Sequence, residues 1–384
     1  MKFLHTSDLH IGLRLCEISL NGEIAALLDE IADIAQRENC DAVVIAGDIY
    51  DRANPSAEAT AVFDNFVTAL ARKNIAVLAI SGNHDSPERV AYLSRLTEER
   101  GVYLSPVFDG CVRKVTLRDD LGDVNFWLLP FVRPVNVRGF DETFDGTTYH
   151  AAMAALTEKT VLDPGKRNVM VTHQFVIPGG SPEEIPDGAE SHAIAGGIGA
   201  VGADVFAKFD YTALGHLHRP HFVGTERVNF SGSPIKCSFN EVNDEKSVTL
   251  VTMEEDVKCE RIPLHPMRDL REMRGTYDEV TSPEYRGKGS PDDYLRIILT
   301  DEEDIPDAMA KLRTIYPNLL RLVYDNTRTK VTLDGEISVE DDDCVTPLSV
   351  FAGLYEMQNN APPDEDLIEM AAEIFEEAEK EGVL

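Results

Sequence analysis

Five short polar segments, each directly after a run of strand-forming residues, constrain the fold of this chain more than any other feature. They are Ser7-Asp8-Leu9-His10, Gly47-Asp48-Ile49-Tyr50-Asp51, Gly82-Asn83-His84-Asp85, Thr172-His173 and Gly215-His216-Leu217-His218. The preceding runs cover residues 3–5, 42–46, 77–80, 169–171 and 211–214. Open α/β sheets place their sites at the carboxyl ends of the strands. The pattern therefore predicts an α/β fold with one cluster of metal-type ligands.

Two of these segments carry a pair of donors separated by one leucine, Asp8-Leu9-His10 and His216-Leu217-His218. Alternation along an extended segment would place both donors on one face and turn the leucine into the core. A pair of divalent ions also needs a bridging carboxylate, for which Asp48 is the candidate. Such a pair can activate water and stabilise the displacement at a phosphate, so the segments indicate phosphoester hydrolysis.

Gly47, Gly82 and Gly215 occupy the points where three of these strands end. The missing side chain lets the chain turn sharply and lets the backbone approach bound ions. Taken singly, each motif also has an ordinary interpretation, because Gly-Asp and Gly-Asn-His occur in turns and a lone histidine is more often a surface or core residue. Five motifs in this order, each after a predicted strand, favour a metal site.

The order Asp-x-His, Gly-Asp-x-x-Asp, Gly-Asn-His-Asp, His and Gly-His-x-His resembles the calcineurin-like metallophosphoesterase superfamily. More narrowly, residues 1–12, residues 47–52 and Ser231-Gly232-Ser233-Pro234 resemble the SbcD family of nuclease subunits. The resemblance covers nearly the whole chain and is most specific in residues 1–240. It implies an α/β/β/α sandwich with a small α+β capping domain and a C-terminal helix-loop-helix. The alternation of strands and helices alone leaves a doubly wound sheet equally open.

The resemblance also implies the ligands of two metal ions. One ion would be held by Asp8, His10, Asp48 and His218, and the other by Asp48, Asn83, His173 and His216. A set of oxygen and nitrogen donors without a thiolate suits manganese or iron better than structural zinc. We therefore expect two Mn²⁺ ions, with Fe²⁺ or Mg²⁺ as alternatives.

His84 is the expected catalytic residue, with proton transfer or transition-state stabilisation at the leaving oxygen as its role. It directly follows the implied ligand Asn83, so its ring can stand beside the ions without binding them. The alternative is a structural role in which His84 orients Asp85 or Asp48. Asp51 and Asp85 are expected to orient ligand imidazoles or waters.

The resemblance implies a DNA nuclease, an exonuclease on double-stranded ends and an endonuclease on single strands or hairpins, in repair, recombination and replication. Its partner would be an SbcC-like coiled-coil ATPase, with a homodimer of this chain inside a heterotetramer. The chain contains no G-x-x-x-x-G-K-[ST] segment, so ATP dependence would come from the partner. Two alternatives remain open, a small-molecule metallophosphodiesterase and a catalytically silent docking scaffold.

The composition is that of a globular protein with a strong excess of acid. Its 36 Lys and Arg face 68 Asp and Glu, which gives a net charge of −32. Phosphate contacts by basic residues dominate DNA affinity, so we expect a basic partner, a salty host cytoplasm or a different substrate. Scattered cysteines, no signal segment and no apolar run of about 18 residues predict a reduced, cytoplasmic protein without membrane contact.

At 384 residues the chain should form two or three domains. We predict a nuclease domain at 1–263 and, by resemblance, a DNA-orienting capping domain at 264–335 and acidic ATPase-docking helices at 336–384. Helices are predicted at 21–38, 56–73, 87–100, 147–161 and 305–316. The stretch 178–202 is predicted to be a surface loop, with contact to substrate as the competing hypothesis.

The acidic tail carries two apolar stripes at helical spacing. The first predicted helix includes Leu348, Phe351, Leu354 and Tyr355, and the second includes Leu367, Ala371, Ile374 and Ala378. Each stripe either folds back on the capping domain or lies on another chain. The resemblance favours the second possibility, with the coiled-coil ATPase as the other chain.

Overall fold

The computed structural model describes residues 1–179 and 199–327, together with positions 351, 355, 363, 367, 368, 370–372, 374 and 375 of the tail. The chain divides into two compact units, Met1–Met267 and Arg268–Leu384. Most of the predicted loop at 178–202 and most of the predicted tail helices lie outside the described residues, and the three-domain division stays a prediction. Among the described residues, no helix has the length and apolar character to cross a membrane.

Two six-stranded sheets form the first unit, and each contains four neighbouring parallel strands. The first sheet runs, in spatial order, through Val257–Pro263, Ser247–Met253, Lys2–Thr6, Ala42–Ala46, Ala76–Ile80 and Val102–Leu104. The second runs through His221–Val223, Thr225–Phe230, Tyr211–Gly215, Arg167–His173, Gly122–Leu129 and Arg113–Asp119. The two-residue strands Arg14–Leu15 and Ile18–Ser19 pair with each other, as do Val176–Ile177 and Val201–Gly202.

The two sheets pack face to face around a shared apolar core. Phe3 of the first sheet lies edge-on to Phe126 and Tyr211 of the second, with ring centroids 5.4 and 5.9 Å apart. Strands buried on both faces read as continuous apolar runs, which explains sequences such as Ala-Val-Val-Ile-Ala at Ala42–Ala46.

Helices complete the two outer layers. Asn21–Arg37 buries an apolar stripe that begins at Ile24, and Ala57–Arg72 packs against it and against Ala76–Ile80. The Ser56 hydroxyl caps the second of these helices by accepting from the Ala59 amide at 3.1 Å. On the second sheet, the core includes Met153 and Leu156 of the helix Tyr149–Lys159. The α/β/β/α sandwich is therefore confirmed. The first unit also contains the helix Pro134–Phe140 and the short 3₁₀ segments Ala203–Phe206 and Phe239–Glu241.

The single helix predicted at 87–100 is wrong. The segment forms three short turns, Pro87–Val90, Ser94–Thr97 and Glu98–Arg100. Leu93 breaks the helix with a left-handed φ of 60°. Leu93 and Leu96 are 51% and 66% exposed, so no buried face stabilises a continuous helix.

The second unit contains a three-stranded parallel sheet, Leu270–Gly275, Tyr294–Leu299 and Leu319–Tyr324. Three short helices, Tyr277–Thr281, Pro283–Arg286 and Ala308–Arg313, accompany the sheet. The last of these helices is shorter than predicted, since Asp307 adopts a φ of 55° immediately before it.

Candidate metal centre

The five predicted ligand segments converge at one edge of the sandwich. Three follow strands of the first sheet and two follow strands of the second, so the centre lies where both sheets present carboxyl ends. Its donors are Asp8, His10, Asp48, Asn83, His173, His216 and His218. The structure thus brings all seven predicted ligands into a single cluster.

The loops that carry these donors are not extended, so the proposed alternation along Asp8-Leu9-His10 is wrong. Asp8 and His10 both have left-handed φ values, 52° and 44°, while Leu9 is fully buried as expected. Asp48 at 48° and His216 at 102° share this conformation, which costs free energy for residues other than glycine. Strained backbone at four donor positions is typical of a functional site.

Gly82 and Gly215 are required for close approach rather than for unusual torsion angles. A Cβ atom at Gly82 would lie 2.1 Å from Asp48 Oδ1, and one at Gly215 would lie 2.0 Å from the Ala46 carbonyl oxygen. Gly47 needs both properties, because its φ is 93° and a Cβ there would lie 2.3 Å from His173 Nδ1. These glycines let the donor loops come together.

The first half of the centre, called here the His10 group, consists of Asp8, His10 and His218. The Nε2 atoms of His10 and His218 are 3.1 Å apart. Asp8 is fully buried, and its two oxygens accept from the His216 amide at 3.0 and 3.1 Å. Burial raises the pKa of Asp8, because a carboxylate removed from water is destabilised without a nearby cation.

The second half, called the Asn83 group, consists of Asn83, His173 and His216. The Asn83 Oδ1 atom lies 3.0 Å from both His173 Nε2 and His216 Nδ1. His173 is fully buried and its Nδ1 donates to the Ala46 carbonyl at 2.8 Å, which directs Nε2 into the centre. A backbone acceptor of this kind is the usual support of a metal-binding imidazole.

Asp48 lies between the two groups. Its Oδ2 is 3.3 Å from His173 Nε2 and 4.0 Å from His10 Nε2, and its Oδ1 accepts from the His84 amide at 2.9 Å. Burial works against the Asp48 carboxylate, but His173 and the neighbouring imidazoles outweigh it and hold its pKa well below the usual range. Burial likewise opposes a charged His173, yet Asp48 raises the pKa of His173 to about 9.

The imidazoles of His10 and His216 are kept neutral. Burial lowers the pKa of His10 to about 3, and the adjacent His218 adds to this effect. Burial also lowers the pKa of His216 to about 3, with His173 as the second cause. A neutral imidazole with a free lone pair is the form that binds a metal ion.

The donor set fits a cation better than it fits internal hydrogen bonding. In the neutral form of His218, which is the form that can bind a metal ion, Nδ1 donates to Glu241, so that Nε2 becomes an acceptor and requires the proton on His10 Nε2. His10 Nδ1 is then a buried acceptor, and it has no hydrogen-bond partner within the described parts of the chain. A cation among the buried Asp8, His10 and Asp48 would satisfy these atoms, whose ligand atoms lie within 4.8 Å of one another.

His84 lies beside the centre with its ring exposed. Its ring centroid is 5.0 Å from that of His10, and its Nδ1 donates to the Asp51 carbonyl at 3.0 Å. Asp51 Oδ1 is 3.7 Å from His10 Nδ1, near an imidazole as expected. Asp85 behaves differently, since its carboxylate accepts from the amides of Ile49, Tyr50 and Gly82 at 2.9–3.0 Å. It therefore joins two donor loops through the backbone.

Three residues around His218 were not predicted from the sequence. Glu241 Oε1 lies 3.1 Å from His218 Nδ1, and its other oxygen accepts from the buried Lys246 ammonium at 2.6 Å. Lys246 also donates to the His218 carbonyl at 3.0 Å. Cys237 offers a thiol within 4.8 Å of ligand atoms of His10 and His218. The nearness of these residues to the Ser231-Gly232-Ser233-Pro234 segment was the only signal in the sequence.

A two-sheet sandwich with clustered His, Asp and Asn at its strand ends is the architecture of a metallophosphoesterase. Residues 1–220 match the family model for calcineurin-like phosphoesterases, and residues 266–359 match the model SbcD_C, described as a type 5 capsule protein repressor C-terminal domain. The first family implies divalent metal ions as cofactors.

Two curated relatives and one solved structure are similar to this chain. The SbcD subunit of nuclease SbcCD from Staphylococcus epidermidis is 30% identical over 353 residues, which cover 90% of this chain and 91% of that protein. The protein of the same name from Staphylococcus saprophyticus is 30% identical and covers 88% and 87%. A dimetal phosphatase from Danio rerio covers 69% of this chain and 99% of its own at 15% identity, with a TM-score of 0.43. The chain belongs to the calcineurin-like phosphoesterases and, within them, to the SbcD family of nuclease subunits.

Proposed function

We propose that the chain is a Mn²⁺-dependent DNA phosphodiesterase with two metal ions. The convergence of seven oxygen and nitrogen donors around Asp48 is the observation that carries this proposal. Membership of the SbcD family supports DNA as the substrate, as exonuclease on double-stranded ends and endonuclease on single strands or hairpins. Roles in DNA repair, recombination and replication and a cytoplasmic location belong to the same proposal.

The two groups suggest how the ions would be held. One ion would be bound by the His10 group, which consists of Asp8, His10 and His218. The other ion would be bound by the Asn83 group, which consists of Asn83, His173 and His216. Asp48 would bind both ions. Two such ions activate water and neutralise charge on the phosphate. The mixed oxygen and nitrogen ligands favour Mn²⁺, with Fe²⁺ or Mg²⁺ as alternatives. Cys237 adds a soft donor near the His10 group that the sequence-based ligand set did not include.

His84 is the proposed acid that protonates the leaving oxygen. Because its Nδ1–H donates to the Asp51 carbonyl, its Nε2 remains available to carry a proton toward the substrate. The ring is exposed beside His10, so a phosphodiester at the centre can reach it. Asp85 and Asp51 keep the loops that carry Asp48 and His84 in place.

The net charge of −32 makes unaided binding to long DNA unfavourable. We propose that an SbcC-like coiled-coil ATPase supplies the basic contacts, in a heterotetramer that contains two copies of this chain. The names of the relatives, which are subunits of an SbcCD nuclease, support a partner. Residues 264–335 form the proposed DNA-orienting domain, on the evidence of the same family resemblance.

The tail at 336–384 is the proposed docking element for that ATPase. Among its described positions, Phe351 lies 6.3 Å from Phe375 between ring centroids, while Met370 and Ile374 are both 59% exposed. Met370→Glu with Ile374→Glu should abolish co-purification with the ATPase and leave Mn²⁺-dependent hydrolysis of a small diester unchanged. Wild-type affinity for the ATPase in this double variant would show that docking occurs elsewhere.

One comparison of substrates tests the proposed function against its main rival. The strong acidity favours a small-molecule phosphodiesterase as the second candidate. We expect linear DNA to be cleaved with Mn²⁺, faster when the ATPase is present, and bis-p-nitrophenyl phosphate to be hydrolysed without it. Hydrolysis of the small diester with no cleavage of DNA, even with the ATPase, would favour the rival. No hydrolysis of either would favour a docking scaffold.

A further inference from the structure

A cleft of about 350 Å³ opens directly beside the Asn83 group. Asn83 and Gly82 form one wall, and Phe108, Phe131, Val135 and Phe140 form the others. Its volume lies in the range of sites for small organic groups. Asn83 also contacts His173 and His216. A part of the substrate bound in this cleft would therefore be only a few covalent bonds away from a phosphate at the metal centre.

The walls of the cleft present aromatic rings to solvent. Phe140 is 59% exposed and Val135 57% exposed, although apolar side chains of this size are usually buried. Phe140 lies edge-on to Phe108, with ring centroids 5.6 Å apart and an interplanar angle of 88°, which leaves ring surface of Phe140 uncovered. Phe131 connects the cleft to the centre, because its ring centroid lies 6.3 Å from that of His173.

The lining carries charges of both signs. Arg133 and Glu88 are exposed, and the buried Asp85 also belongs to the lining. A phosphate would be repelled by Glu88, and an aliphatic chain would make no polar contact with Arg133, Glu88 or Asn136. A neutral, flat ring with polar edges suits both the aromatic walls and the polar rim.

We propose that this cleft is a subsite for one unpaired nucleobase of the strand whose phosphate lies at the metal centre. The inference rests on the proposed function and specifies its substrate. Stacking on aromatic side chains is the common way in which proteins hold single-stranded bases without regard to sequence. A base inside a duplex has both faces covered by its neighbours, so the cleft selects a strand end, a loop or a melted nucleotide.

Two phosphodiesters with the same leaving group test the subsite. They are thymidine 5′-(4-nitrophenyl phosphate) and methyl 4-nitrophenyl phosphate, and the 3′ thymidine ester is assayed as well because the base can lie on either side of the phosphate. With Mn²⁺, the wild-type kcat/KM should be roughly 5- to 150-fold higher for a thymidine ester than for the methyl ester, the range expected from one stacked base.

Three variants distinguish a loss of base stacking from a general loss of hydrolytic activity. Phe140→Ala should bring the ratio of the two kcat/KM values close to one and leave the methyl ester unaffected, whereas Phe140→Trp should keep the ratio. Leu121→Ala is the matched control, since Leu121 is also exposed, at 65%, but precedes the far end of the strand Gly122–Leu129. It should change neither rate.

A binding measurement tests the base subsite independently of catalysis. The fluorescence of 2-aminopurine deoxyriboside falls when its base stacks, so metal-free wild-type protein and Phe140→Trp should quench it and Phe140→Ala should not. Equal loss of both esters in Phe140→Ala, or an unchanged ratio together with unchanged quenching, would overturn the base subsite. Quenching without hydrolysis of any ester would contradict the proposed function and leave the base subsite standing.

Discussion

The His10 group and the Asn83 group share Asp48 but differ in charge and exposure. The His10 group contains a carboxylate of its own, Asp8, which is fully buried. The Asn83 group consists of an amide and two imidazoles, and Asn83 itself is exposed. The Glu241 carboxylate, which also accepts from Lys246, contacts Nδ1 of His218. The Nδ1 of His173 contacts a single backbone carbonyl instead.

This difference assigns separate tasks to the two halves. A second negative ligand strengthens the attraction for a divalent ion, so the His10 group should bind its ion more tightly. The Asn83 group faces the cleft and is the side from which a substrate can approach. We therefore expect the buried half to hold the centre together and the open half to contact the phosphate.

Removal of Asp48 should have the largest effect, because its carboxylate lies between the two groups and would serve both ions. Asp48→Ala should lose both ions and all Mn²⁺-dependent hydrolysis, while Asp29→Ala, an exposed helical acid, should keep both. Metal analysis of the purified proteins checks this prediction. Two ions in Asp48→Ala would mean that the groups bind independently.

His84→Ala should retain both ions and lose activity by roughly 10²- to 10⁴-fold, the effect typical of a lost proton donor. The imidazole is exposed and makes one hydrogen bond to a backbone carbonyl, so the fold should tolerate the change. A diester with 4-nitrophenolate as leaving group should lose less than one with an alcohol, since nitrophenolate needs no proton. Full activity toward both would rule out the proposed role.

Glu241→Gln should weaken one ion selectively. The carboxylate orients His218 of the His10 group, and loss of such support typically lowers metal affinity by about 10- to 100-fold. Titration with a chelator should then release the His10-group ion early and leave the Asn83-group ion unchanged. Glu260→Gln, on an exposed strand position, is the control. Equal weakening of both ions would show a general loss of structure instead of a loss of support at His218.

Metal binding should release protons, and this is the smallest expected effect among the four predictions. Asp48 raises the pKa of His173 to about 9 against the effect of burial, and the pKa of His218 is also well above its usual value despite burial, through Cys237 and Glu241. Both are protonated at pH 7 and must become neutral to bind, so loading should release about two protons, one from each group. Metal affinity should therefore fall as the pH is lowered below 9. Calorimetry in buffers of different ionisation enthalpy measures the number, and zero release would contradict the assignment.

The strands and the donor segments could be predicted because their signals are local. An apolar run such as Ala42–Ala46, followed at once by Gly-Asp, predicts both the strand and the position where it ends. The carboxyl-end rule then brings Asp48 near Asn83 without knowledge of the remaining fold. The five segments were therefore found, even though they come from two sheets rather than one.

The details that escaped prediction depend on tertiary contacts. Nothing local indicates that Asp8 and His10 adopt left-handed torsion angles, which the surrounding loops impose. Glu241 supports His218 across 23 positions of sequence, and no periodicity reports such a pair. The helix predicted at 87–100 failed for the same reason, because the local sequence does not indicate whether a surface exists to bury Leu93 and Leu96.

The most direct test of the two-metal centre is anomalous X-ray diffraction from crystals grown with Mn²⁺, measured on either side of the manganese absorption edge. We expect two manganese peaks. One should lie among Asp8, His10 and His218 and the other among Asn83, His173 and His216, with Asp48 in contact with both. A single peak, or peaks away from these seven residues at saturating Mn²⁺, would contradict the two-metal centre.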